Sequence, residues 1–130
     1  GITMTNTVQN FPRGRPGVQR ILEPILLLFL TEKPSYGYEL LERIRNVIPG
    51  WEEPDVGALY RFLRRLEKEQ LLISNWSVEK IGPARRVYHI TECGKKYLQL
   101  WMERLEKNRQ LIDSILDHYK KIDISKTPKN

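Results

Sequence analysis

Residues 57–68 of the chain carry residue types that bind anions. At 100° per residue, Arg61, Arg64 and Lys68 fall on one face of a helix together with Gly57. Guanidinium and ammonium groups bind phosphates, and arginine also reads the edges of guanine. The pattern therefore predicts a helix that contacts an anion with this basic face, and a merely solvated basic face is the alternative. The opposite face is apolar and predicted to pack inward, with Leu59, Phe62, Leu63 and Leu66.

Two further residues border the basic face. Gly57 lacks a side chain at the start of the helix, which lets the backbone approach a phosphate at the positive end of the helix dipole. Close packing against the preceding helix is the alternative reason for this glycine. Tyr60 lies at the edge of the face, where its hydroxyl can donate to a phosphate while its ring covers the start of the preceding helix. A half-buried packing residue would show the same sequence pattern.

Two helices are expected before this one. The first covers about residues 18–30, and Pro24 indicates either a helix that begins near Glu23 or a kink. The second follows Pro34, with Ser35 as its N-cap, and ends at the Pro49-Gly50 pair. Its inward face is predicted to contain Leu40, Leu41, Ile44 and Val47.

The third helix is predicted to start at Asp55 as its N-cap and to end before Gln70, which occupies a position where a left-handed glycine would be expected. A hairpin follows, with strands over 73–78 and 85–90 and a turn over 81–84. Arg85 is nearest the turn and is the wing residue predicted to make a backbone or minor-groove contact, and a free surface arginine is the alternative. This order of elements predicts a mainly α (α+β) fold, a winged helix-turn-helix that reads DNA.

A long helix is expected over residues 92–124, followed by a frayed tail over 125–130. About 32 helical residues would extend roughly 48 Å, which is longer than so small a domain can cover. We therefore expect a partner helix from a second copy, with a polar Asn108 that helps to fix the register. The heptad seam contains Leu98, Trp101, Leu105, Asn108, Ile112, Ile115, Tyr119 and Ile122.

Several motifs, in order, resemble the PadR-type family of winged-helix transcriptional regulators: PSYGYEL at 34–40, GALYRFLRRLEKEQLL at 57–72, NW at 75–76, RRVYHIT at 85–91, and Gly94. The resemblance implies a homodimer of the short subclass, with one C-terminal dimerisation helix and operator DNA as partner. Many members of the family respond to aromatic compounds, so the resemblance also implies an aromatic small molecule as a candidate effector. The DNA contacts that it implies are Ser35, Tyr36, Gly57, Ala58, Tyr60 and Arg61, with Arg85 or Arg86 on the wing.

Two regions outside this pattern suggest additional contacts. The flexible basic arm, residues 1–17, contains Arg13 and Arg15 in a PRGRP segment that resembles the minor-groove AT-hook, and a plain basic tail is the alternative. On the long helix, Tyr97 and Trp101 are candidates for an aromatic effector cavity between subunits. Aromatic residues on a heptad seam are otherwise dimer core.

Composition favours the same interpretation. The net charge of +6 and pI near 9.5 suit a polyanionic partner, and a single cysteine, Cys93, suits a reducing cytoplasm. No membrane span, metal site, cofactor motif or catalytic constellation is evident, so we expect a non-enzyme. We predict a DNA-binding domain over residues 18–91, followed by the long dimerisation helix. The predicted function is that of a cytoplasmic homodimeric transcriptional regulator, more specifically a repressor. The rivals are an architectural DNA-binding protein without effector control and a winged-helix protein-interaction module.

Overall fold

The computed structural model describes residues 18–77 and 82–126, so the predicted basic arm with Arg13 and Arg15 lies outside the described residues. The chain divides after Leu98 into two compact units. In the first unit, helix α1 spans Val18–Glu32. Its start at Val18 shows that the alternative of a helix beginning near Glu23 was wrong, and Pro24 lies inside the helix, fully buried.

Helix α2 spans Gly37–Val47 and helix α3 spans Val56–Lys68. The inward faces were predicted correctly except at Val47, which is 62% exposed in the last turn of α2. Side chains from α1, α2 and α3 form most of a single core, which is completed by Tyr88 and Leu98. The fully buried aliphatic residues of these helices are Leu22, Leu26, Leu27, Leu40, Ile44, Leu59, Leu63 and Leu66.

A three-stranded antiparallel sheet covers one side of the core. Strands β1 (Ser35–Tyr36), β2 (Leu72–Ser77) and β3 (Arg85–Ile90) are arranged in the order β1-β3-β2. Strand β2 begins one residue earlier than predicted, and residues 78–81 of the predicted hairpin lie outside the described residues. The short strand β1 was not predicted, and it pairs Ser35 with Tyr88 and Tyr36 with Val87.

The end of α3 is closed by a left-handed residue at the position where a left-handed glycine would be expected. Gln70 has φ of 65°. Its N–H donates to the Glu67 carbonyl and the Leu71 N–H donates to the Leu66 carbonyl, both at 2.9 Å. This pair of hydrogen bonds is the Schellman arrangement, which usually contains glycine. Gln70 therefore adopts a backbone conformation that costs a residue with a Cβ atom about 1–2 kcal/mol.

Helix α4 spans Glu92–Lys121, so the helix predicted over residues 92–124 ends three residues earlier than expected. A separate 3-10 turn over Ile124–Lys126 occupies part of the segment expected to be a frayed tail. Thr91 caps α4, because its Oγ1 accepts a hydrogen bond from the Gly94 N–H at 2.9 Å. Gly94 is required there, since a Cβ atom would overlap the Leu71 carbonyl oxygen. The single cysteine, Cys93, is exposed in the first turn of α4.

Candidate nucleic-acid interface

The start of α3 is held by its predicted cap. Asp55 accepts a hydrogen bond from the Ala58 N–H at 2.7 Å. Gly57 is exposed, and a Cβ atom built on it would meet only Arg61 Nη1 and Asp55 Oδ1, each at 3.2 Å. Packing against α2 is therefore not the reason for this glycine. The side chain of Ala58 is buried, which leaves the exposed backbone around Gly57 as the accessible part of the helix start.

The predicted basic face of α3 is exposed. Arg61, Arg64 and Lys68 all point to solvent, and among the residues that the structure describes none of them has an ion-pair partner. Arg65, which does not lie on this face, pairs instead with Glu23 at 2.5 Å and lies 4.7 Å from the centre of the Phe62 ring. Three exposed cations on one helix face attract a polyanion.

Tyr60 covers the start of α2, as the sequence suggested. Its ring packs so closely on Gly37 that a Cβ atom there would lie 2.6 Å from the hydroxyl oxygen. Burial raises the pKa of Tyr60 above the ordinary value of a tyrosine, and the neighbouring Tyr38 raises it further. The hydroxyl therefore stays protonated at physiological pH and remains a hydrogen-bond donor. This geometry is compatible with both predicted roles, packing on α2 and donation to a phosphate.

Ser35 does not have its predicted position. It lies in β1 with only 1% of its surface exposed, and the N-cap of α2 is Tyr36, which forms no side-chain cap bond. The Ser35 hydroxyl accepts a hydrogen bond from Arg43 Nη1 at 2.7 Å. The N-cap assignment was therefore wrong, and burial removes the Ser35 side chain from the candidate contact surface. Tyr36 is half-buried, and the Arg85 guanidinium lies 4.7 Å from the centre of its ring.

The two wing arginines have different environments. Arg86 lies 5.1 Å from the centre of the Trp76 ring, and its Nε donates to the Ser74 hydroxyl at 2.7 Å. Ser74 in turn donates to Glu67 of α3 at 2.7 Å. A hydrogen-bonded chain thus ties β3 to α3 through β2. Arg85, the predicted wing residue, is exposed and lies against Tyr36.

An open cleft of about 1010 Å³ lies between α3 and the two hairpin strands. Sequence reasoning missed Tyr38, Glu67 and Trp76 in this region, although Trp76 pairs directly with Arg86 in the hairpin register. The sequence did contain a signal for Trp76. Side chains alternate between the two faces of a strand, which places Ser74 and Trp76 on the same face of β2. The cleft is lined by Tyr36, Tyr38, Tyr60, Arg64, Glu67, Lys68, Trp76, Ala84, Arg85, Arg86 and Tyr88.

The two residues proposed to contact an effector lie in different units. Tyr97, in the first unit, is half-buried and donates a hydrogen bond to Glu23 at 2.5 Å. Trp101, in the second, is half-buried with the Arg104 guanidinium 5.5 Å from the centre of its ring.

The predicted dimerisation seam is also split between the two units. Leu98 packs into the core of the first unit and is only 8% exposed, so its burial requires no partner helix. Trp101 and Leu105 are half-buried, and the remaining seam residues are exposed: Asn108, Ile112, Ile115, Tyr119 and Ile122.

Other chemistry is not evident in the described ranges, 18–77 and 82–126. They contain no group of three or more potential metal-ligating side chains. None of their helices has both the length and the apolar character needed to cross a membrane.

The three-helix core, the strand pair that follows α3 and the exposed basic face of α3 define the class of protein: a winged helix-turn-helix DNA-binding protein. A family model described as the transcriptional regulator PadR-like family matches residues 26–100. The chain belongs to this family and is a DNA-binding transcriptional regulator.

Solved structures give the same result. A transcriptional regulator from Clostridium thermocellum is 30% identical, with a TM-score of 0.68 over 75% of this chain and 94% of that one. A PadR family transcription regulator from Clostridium difficile R20291 is 26% identical, with a TM-score of 0.63 over 74% of this chain and 98% of that one.

One curated relative is longer than the region that matches. The transcriptional regulator YqjI of Escherichia coli strain K12 is 26% identical over 99 residues, which are 76% of this chain but only 42% of that protein. The chain thus spans less than half of this relative's length.

Proposed function

We propose that this regulator binds operator DNA as a homodimer, with α3 at the major groove and the wing on the flanking backbone, and that it represses transcription. The observation that carries the proposal is the exposed basic face of Arg61, Arg64 and Lys68, which has no ion-pair partner within residues 18–77 and 82–126 and adjoins the exposed helix start at Gly57. Tyr60 and Arg85 border this face and add a hydroxyl donor and a cation.

An exposed apolar stripe on α4 supports the homodimer. Ile112, Ile115 and Tyr119 are 53%, 58% and 58% exposed, and neighbouring Leu111 and Leu116 are 59% and 49% exposed. Monomeric proteins rarely leave such a contiguous apolar surface in water. The spacing of this stripe suits a second copy of the same helix, which would bury it symmetrically. A dimer that covers a promoter would block polymerase, which is the basis for proposing repression.

Effector control is part of the same proposal. Trp101 remains half-buried beside Arg104, and a planar aromatic compound would stack there in the assembled dimer. The rival without effector control, an architectural DNA-binding protein, differs in one measurable respect. Loss of operator binding on addition of an aromatic compound, prevented by Trp101→Ala, would support the regulator with an effector and exclude this rival.

Footprinting on the DNA upstream of the protein's own gene tests the proposed operator binding. We expect two protected half-sites about one helical turn apart, 10–10.5 bp, or a multiple of it. Sedimentation of the free protein should give a dimer. A monomer that protects a single half-site at micromolar concentration would contradict the homodimer, and no protection anywhere in a promoter library would contradict operator binding.

A further inference from the structure

The cleft beside α3 contains two exposed aromatic rings whose faces have nothing to stack on in duplex DNA. Tyr38 is 63% exposed and Trp76 is 61% exposed. Among the described residues of the first unit, they are the aromatic side chains with the greatest exposure, and both line the cleft. A stacked duplex presents base edges and phosphates to a protein and hides the faces of its bases. Two exposed rings therefore have no base face to contact in an intact duplex.

The cations of the cleft are placed beside these rings. Arg64 and Lys68 line the cleft and have no ion-pair partner among residues 18–77 and 82–126. Among the described residues of the lining, Glu67 is the only carboxylate, and it accepts a hydrogen bond from Ser74. Arg86 lies against Trp76 and is held by Ser74, yet most of the Trp76 surface remains exposed. The cleft thus combines aromatic faces with a surplus of positive charge.

Aromatic rings that alternate with cations in an open groove are the usual means of binding unpaired nucleotides. Rings stack on bases of any sequence, and the cations bind the backbone phosphates. We propose that this cleft binds a single strand of DNA, with bases stacked on Tyr38 and Trp76 and phosphates bound by Arg64 and Lys68. The inference rests on the proposed function, because it deepens the role of the same DNA-facing surface by adding an unpaired strand as a second partner. Duplex and single strand would then compete for α3.

The test separates stacking from charge. A labelled oligothymidylate of about twelve nucleotides is compared with an abasic strand of the same length, which has the same phosphates and no bases, at one salt concentration. We expect the full-length protein to bind the oligothymidylate at least about tenfold more tightly. Trp76→Ala should remove most of this preference, and Trp76→Phe should retain much of it because phenylalanine still stacks. Trp76 is exposed, so these variants should fold normally.

Fluorescence gives an independent readout. In a Trp51→Phe, Trp101→Phe variant, the emission of Trp76 should be quenched by the oligothymidylate and not by the abasic strand. Equal affinity for the two strands, or a preference that survives Trp76→Ala, would overturn the proposal. Tighter binding of an oligouridylate than of the oligothymidylate would overturn the assignment to DNA.

Parallel titrations with duplex operator test the proposed function separately from the single-strand site. If the duplex binds and the preference for bases is absent, the single-strand site is rejected and the proposed function stands. If no duplex binds and the preference is present, the proposed function is rejected and the single-strand site stands. Arg64→Ala, which removes a proposed phosphate contact, should weaken the binding of both strands alike. Arg45→Ala is its charge-matched control, since Arg45 pairs with Glu53 and does not line the cleft.

Discussion

Tyr97 donates a hydrogen bond to the carboxylate of Glu23 at 2.5 Å, although 74 positions separate the two residues. The other oxygen of this carboxylate accepts from Arg65 of α3, also at 2.5 Å. Only 10% of the Glu23 side chain is exposed. One buried acid on α1 therefore joins the first turns of α4 to α3, the helix that carries the proposed DNA contacts.

Replacing this acid should weaken the fold. Glu23→Gln keeps the shape of the side chain and removes its charge, so both hydrogen bonds lose their ionised acceptor. We expect the free energy of unfolding to fall by about 1–3 kcal/mol, measured by urea denaturation. The matched control is Glu106→Gln, which breaks the exposed pair with Arg109 and should cost less than about 1 kcal/mol. Equal effects of the two substitutions would show that Glu23 does not join these helices.

Arginines on the exposed face of α3 should dominate operator affinity. Arg61→Ala and Arg64→Ala should each weaken binding by about 1–3 kcal/mol if the residue reads a base, and only for the cognate sequence. A phosphate contact should instead weaken binding to every sequence and lower the salt slope by about one unit. Fluorescence anisotropy at several salt concentrations separates the two cases. Unchanged affinity in both variants, relative to Arg45→Ala, would exclude α3 as the reading helix.

A charge on the apolar stripe of α4 should separate the proposed dimer. Leu105→Glu or Ile112→Glu would place a carboxylate in the buried centre of a helix pair, where desolvation is costly. Sedimentation should then show monomers, and operator affinity should fall by more than about tenfold because half of the contacts are lost. Gln110→Glu adds the same charge to α4 off the heptad seam and should leave the dimer intact. A dimer that persists in both seam variants would place the interface elsewhere.

Replacement of two glycines by alanine should affect different properties, stability at Gly37 and operator affinity at Gly57. Gly37→Ala would force a methyl group into Tyr60, so we expect a loss of about 1–3 kcal/mol in the free energy of unfolding. Gly57→Ala meets only the Arg61 and Asp55 side chains and should change stability by less than about 1 kcal/mol. Its methyl group would nevertheless hold a phosphate away from the helix start, so operator affinity should fall. Denaturation and anisotropy on the two variants check this contrast, and normal affinity of Gly57→Ala would show that the backbone makes no close contact.

Local signals in the sequence predicted much of the fold. Asp55 caps α3 as predicted, and the helix ends before Gln70 as predicted, because caps and helix ends depend on adjacent residues. The apolar spacing of α3 likewise placed Leu59, Leu63 and Leu66 in the core, since helical periodicity determines which face is buried.

The errors at the candidate site involved contacts between separate elements of the fold. Ser35 has the residue type of an N-cap, but its backbone pairs with Tyr88 in a strand. Its hydroxyl accepts a hydrogen bond from Arg43 instead of capping α2. A strand of two residues has no periodicity from which it could be recognised. The cleft brings Tyr38 and Trp76 to one surface although they belong to separate elements, and only the folded chain shows that they share it. A single acid at position 23 in an otherwise apolar stretch was a signal of buried pairing that the prediction did not use.

Cys93 is the only thiol in the sequence, and it lies exposed at the first turn of α4. A nitroxide spin label would therefore react at one position without prior removal of other cysteines. In a symmetric homodimer each particle would carry two such labels, and pulsed dipolar spectroscopy would report one distance between them. Changes in that distance on addition of operator or of an aromatic compound would follow the geometry of the assembly directly in solution.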